Sequence, residues 1–175
     1  MVLLARSRHL LQALVISSVA EIFVAADGSS VGGTFRFGHI HWTSSGNTVT
    51  FVIETAFKRN VQNSYFAGSA SDNLAQEGDT VTLFGRESPI FDFGDMNIVR
   101  MLQMKVTAYS VVEDWIMGET VLVHRYTYPT NNGLPWIAQL QGCCRLAGLA
   151  NNENSEYLLT AEVDLNAANQ SPRAE

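Results

Sequence analysis

From Asp27 onward the apolar residues of this chain recur at every second position, and that period decides what it can fold into. In NTVTFVIETAF (Asn47 to Phe57), Val49, Phe51, Ile53 and Phe57 share one face, while Thr48, Thr50 and Glu54 share the other. Period two in β-branched and aromatic residues marks a half-buried strand. NSEYLLTAEVDL repeats it with Tyr157, Leu159, Ala161 and Val163, and MLQMKVTAYS with Leu102, Met104, Val106 and Ala108. TFRFGHIHW, DTVTLFG, ETVLVHRYTY and LPWIAQLQ fit further strands. Between them lie Ser44-Ser45-Gly46-Asn47, Glu77-Gly78-Asp79, Asn131-Asn132-Gly133 and Asn151-Asn152, all of turn chemistry. No long stretch keeps a helical period, so crossover helices and an α/β fold are excluded. The expectation is an all-β, antiparallel, immunoglobulin-like sandwich of about seven to nine strands.

The first residues read differently. Arg6 and Arg8, an apolar run from Leu10 to Val19 and the small residues Ala25-Ala26 follow the order of a secretory signal peptide. Gln12 and Glu21 interrupt the run, which is short for a membrane span of about 20 residues. The expected organisation is a signal peptide at 1–26, a sandwich at 27–165 and a polar tail or linker at 166–175. Loss of two Arg and one Glu moves the net charge from −6 to −7. With a pI near 5.1 and no basic block, duplex nucleic acid and anionic membranes are poor partners. Lys58-Arg59 is the densest basic spot and reads as a solvated strand end. The mature chain is expected outside the cell, with no membrane span and with an extracellular protein or glycan as partner.

Two stretches, IFDFGDMN and VLVHRYTYPT, carry a resemblance to an extracellular PKD-type (polycystic kidney disease) domain. The matching residues are Phe91, Asp92, Phe93, Gly94 and Asp95, then His124, Tyr126 and Pro129; Met96 stands where that family usually has glycine. The resemblance implies an immunoglobulin-like sandwich and a non-enzymatic structural or binding role at the cell surface or in secreted proteins. Read from the residues alone, Asp92 and Asp95 suit a tight turn around Gly94. They are also candidate oxygen ligands for calcium, which needs about six. Asp-Phe-Gly occurs in kinases too, but the glycine-rich and catalytic loops of that fold are missing here.

Chemistry-bearing residues are sparse. His39 and His41 are two apart on an expected strand, so both imidazoles leave one face, and a third ligand from elsewhere would complete a zinc geometry. The plainer reading is polar residues on a sheet surface. No Gly-x-Ser-x-Gly elbow supports a serine nucleophile. Glu113-Asp114 supplies carboxylates, but strand neighbours point to opposite faces and cannot pair as glycosidase residues do. Trp42, Trp115 and Trp136 fill a core or, on an outer face, stack on a sugar. Catalysis is therefore not expected; a carbohydrate-binding accessory domain or a secreted hydrolase is the alternative class, and a structural spacer a third.

Cys143 and Cys144 are the only cysteines. In an oxidising compartment three fates are open: a disulfide with each other, bonds to other chains, or burial as thiols. A vicinal bond closes almost no chain, so its value would be local shape. Gly142 beside the pair suits a strained backbone, and Arg145 is free to project. Loops on rigid scaffolds carry function. The expected binding end therefore carries Gly142 to Arg145, joined by the turn at Asp92 and Asp95.

Overall fold

The computed structural model describes residues 33–61, 65–84, 88–147 and 154–166. The expected signal peptide and nearly all of the expected tail lie outside them. Nine strands follow in order: β1 Phe35–Ser45, β2 Thr48–Lys58, β3 Thr80–Thr82, β4 Ile90–Asp92, β5 Ile98–Val99, β6 Gln103–Ser110, β7 Trp115–Arg125, β8 Trp136–Gly142 and β9 Tyr157–Val163. They form a five-stranded sheet, β1-β2-β7-β6-β3, and a four-stranded sheet, β5-β4-β8-β9, with every strand pair antiparallel. The described residues hold no helix. The fold is an all-β sandwich of immunoglobulin-like type.

Alternation builds the core. Val49, Phe51 and Ile53 of β2 are buried against Phe91, Leu140 and Val163 of the other sheet. Phe51 meets Phe91 edge-on at 5.2 Å, and Phe35 stacks on Tyr157 at 3.6 Å. Each such ring is worth about 1.5–3 kcal/mol on burial. Turn chemistry sets the hairpins. Gly46, at φ 56°, opens the two-residue link from Ser45 to Thr48, and Asn132-Gly133 takes the double positive φ of a type I′ turn.

Glu113 and Asp114 lie in the tip of the β6–β7 hairpin, Val111 to Asp114, directly before β7 begins at Trp115. One expectation changes here. Lys58-Arg59 is only half solvated. Lys58 is partly exposed, but Arg59 is 2% exposed. Its Nη1 and Nη2 donate to Asp72 at 2.6 and 2.9 Å, its Nε donates to the Ala75 carbonyl at 3.0 Å, and its guanidinium lies 4.8 Å from the Tyr109 ring centre. Arg59 thus ties the excursion between β2 and β3 to the sheet.

Candidate functional site

The two motif stretches meet at one end of the sandwich. His124, near the end of β7, stacks on Phe93 at 4.0 Å, and its Nε2 donates to Asp95 Oδ2 at 2.7 Å. Tyr126 donates its hydroxyl to the Phe93 carbonyl at 2.8 Å. Asp92 Oδ1 accepts from the Gly94 amide at 2.7 Å, and Asp95 Oδ1 accepts from the Asn97 amide at 3.2 Å. Burial pushes the Asp95 carboxyl up, but the hydrogen bonds from His124 and Asn97 outweigh it and hold the group below the usual carboxylate range. Burial, with Asp95 and Asp92 nearby, pushes the Tyr126 phenol up, so it stays a donor. Asp92 and Asp95 therefore serve as turn acceptors, and Met96, at φ 72°, takes the left-handed conformation that glycine favours.

The cysteines lie at the opposite end. Cys143 and Cys144 are joined by a disulfide across a cis peptide bond, directly after β8. There the chain leaves the four-stranded sheet and runs beside the start of β1, with parallel bridges from Leu146 to Gly33 and from Arg145 to Phe35. The Phe35 amide donates to the Cys144 carbonyl at 3.1 Å, and the Leu146 amide to the Phe35 carbonyl at 3.2 Å. A side chain on Gly33 would collide with the Cys144 carbonyl. Gly142 is needed for space rather than for an unusual φ: its missing Cβ makes room for the Tyr157 hydroxyl. Gly94, in the other turn, sits against Ile137. From there to Cys143 is six residues of β8, about 20 Å at 3.3 Å per residue. The corner and the Asp92–Asp95 turn are separate surfaces.

Beside the corner, an open groove of about 650 Å³ lies on the outer face of the five-stranded sheet. Phe37, Ala56 and Met117 form a row across β1, β2 and β7, flanked by Trp115, Leu146 and Arg36. Arg36 Nη2 donates to the Glu113 and Asp114 carbonyls at 2.8 and 3.2 Å, and Trp115 Nε1 donates to Glu113 Oε2 at 2.7 Å. Glu113 and Asp114 thus fix the rim. Trp42 is core, whereas Trp115 and Trp136 are half-buried. Sequence reasoning missed Phe37 and Met117. The signal was there: both are large apolar residues on the register that alternation assigns to solvent, as are Val121 and Val123.

His39 and His41 lie on that same outer face, where Glu54 joins them. Among the described residues theirs is the group of His, Cys, Asp and Glu side chains close enough to share a metal ion; Asp92 and Asp95 form no such group.

Comparison with known sequences adds the family. The family described as "Integrin beta-like protein A-E, N-terminal" matches residues 36–166. The chain belongs to it. The matched span begins in β1 and ends just after β9, so the family domain and the sandwich coincide. Integrin beta-like protein B of Dictyostelium discoideum is 26% identical over 141 residues, 79% of this chain and 6% of the relative. Integrin beta-like protein E of that organism is 31% identical over 78 residues, 44% of this chain and 4% of the relative. Integrin beta-like protein C is 23% identical over 155 residues, 87% of this chain and 7% of the relative. The chain thus spans under a tenth of the length of these relatives. No solved structure matches. The family carries a different name from the PKD-type family of the motif resemblance, while the sandwich which that resemblance implied is the fold observed.

Proposed function

We propose that this domain is a non-enzymatic recognition module displayed outside the cell, binding a protein partner through the groove beside the Cys143–Cys144 corner. The observation that carries the reading is the groove: an apolar row of Phe37, Ala56 and Met117 on a rigid sheet, rimmed by Arg36 and Glu113. Phe37 is half exposed there, and Val121 and Val123 are exposed further along β7, which makes this the face with apolar side chains open to a partner. Membership of an integrin beta-like family supports an adhesive role, and no helix among the described residues is long and apolar enough to cross a membrane. The disulfide corner and Arg145 border the site and hold Leu146 at its edge. Asp92 and Asp95, on the far end, serve the turn rather than this partner.

The test is attachment of cells to a surface coated with the folded chain. Met117→Glu or Leu146→Glu should lower attachment at least about tenfold, which corresponds to about 1.4 kcal/mol. Met96→Glu, fully exposed at the other end, should leave it unchanged. Attachment sensitive only to Met96→Glu, or to no variant, would refute the groove. Protease treatment of the cells should abolish binding. Loss on glycosidase treatment alone would instead favour a sugar stacked on Trp115.

A further inference from the structure

β1 and β2 set three ligating side chains side by side on the outer face of the five-stranded sheet. His39 and His41 are two residues apart and leave the same face, and Glu54 is the direct cross-strand partner of His39. One ligand atom from each of the three lies within 4.8 Å of the others. His39 Nε2 is 3.6 Å from Glu54 Oε2, too long for a hydrogen bond, and the two imidazole rings are 5.7 Å apart and 28° from parallel. His41 is the telling member. It is only 8% exposed, and its Nδ1 is buried with no hydrogen-bond partner among the described residues. Buried ring nitrogens are normally satisfied, and one that is not calls for an explanation such as an ion. A second tension lies next to it. Glu54 is paired directly with Glu119 of β7, and like charges opposite one another disfavour a sheet. Lys105 of β6 is the cross-strand partner of Glu119 on its other side and not of Glu54.

We propose that His39, His41 and Glu54 form a binding site for a divalent transition-metal ion of the zinc class. Two imidazole nitrogens and one carboxylate oxygen suit zinc, whereas calcium and magnesium want shells of oxygen. Zinc bonds of 2.0–2.1 Å place tetrahedral ligand atoms about 3.4 Å apart, so small side-chain rotations close the present spread. The positions themselves are fixed by the β1–β2 ladder, a firmer platform than a loop. The ion would give His41 the partner it lacks and neutralise the paired carboxylates. Three protein ligands leave the fourth position for water or an outside donor. The site lies one row from the groove, because His39 and Glu119 stand two residues after Phe37 and Met117 on β1 and β7, and Glu54 two residues before Ala56 on the antiparallel β2.

The experiment is a titration of the metal-free full chain with zinc against a chromophoric chelator, with cobalt(II) in parallel for its visible spectrum. One equivalent of zinc should bind, calcium and magnesium should not compete, and cobalt should give the intense absorption of a four-coordinate site. His39→Ala and His41→Ala should each weaken binding about 100-fold or more, since even outer-shell groups are worth about 10–100-fold. Glu54→Gln should weaken it too, and His124→Gln, at a distant turn, should not. Zinc should raise the melting temperature of the parent and not of His39→Ala. If His41→Ala proves unfolded by circular dichroism, the partly exposed His39 and Glu54 carry the test. No zinc uptake by the folded parent would overturn the assignment, as would equal uptake by the His39 and Glu54 variants.

Discussion

Arg59→Ala tests how much of this fold hangs on one buried cation. The substitution removes two charge-assisted bonds to Asp72, one to the Ala75 carbonyl, and the stacking over Tyr109. Breaking a fully buried ion pair costs about 3–5 kcal/mol. Here the Asp72 side chain keeps 40% of its surface and can rehydrate, so about 3 kcal/mol is expected. The loss should appear as a lower urea midpoint at unchanged slope, and as a melting point lower by about 10–15 °C for a domain of this size. Arg59→Met loses the same hydrogen bonds but keeps an apolar stem of similar length against Tyr109, so it should cost less than Arg59→Ala. Arg59→Lys loses the planar fork and should fall between. A cost below about 1 kcal/mol for Arg59→Ala would refute the reasoning, since water would then be replacing the guanidinium at no loss.

Two further outcomes follow from the same contacts. The carboxyls of Asp72, Asp79 and Asp95 are held below their ordinary value, by the hydrogen bond from Arg59, by Ser69, and by His124 and Asn97 against burial, respectively. A depressed folded value contributes stability that is present above the unfolded value and lost on acidification through the folded one, so urea midpoints should fall below about pH 4, and Asp95→Asn should flatten that fall. Reduction of the Cys143–Cys144 bond should barely move the urea midpoint, because the ring closes almost no chain, yet should lower attachment through the groove; a large stability loss instead would contradict the local role.

The sandwich was legible because alternation reports burial directly: Val49, Phe51, Ile53, Leu102, Met104 and Val106 all fall on the core face that the period assigns. β4 and β5 were not, since strands of three and two residues carry too few positions to show a period. Arg59 misled because a charged residue next to a charged residue reads as surface, and its partner Asp72 comes from a loop 13 residues on. The pairing of Asp95 with His124 joins residues 29 apart that register alone brings together. His39 and His41 were visible as a pair, but Glu54 could be named only once the β1–β2 register was known. The groove was hidden for another reason: alternation gives the face of a residue, not whether that face is covered.

β1 and β9 run in the same direction beside one another, Phe35 against Tyr157 and Trp42 against the Glu162 carbonyl. The chain therefore enters the sandwich at the disulfide corner and leaves it, after Val163, at the far end. Tension between Gly33 and Asn166 would act along the strands and not across them. β1 would have to slide out of its whole ladder with β2, and β9 out of its ladder with β8, with the hydrogen bonds sharing the load instead of opening one after another. Under force the rate of that shearing step, rather than equilibrium stability, sets the domain's lifetime. Because β1 also carries Arg36 and Phe37, a pull strong enough to draw it from β2 would dismantle the groove at the same step.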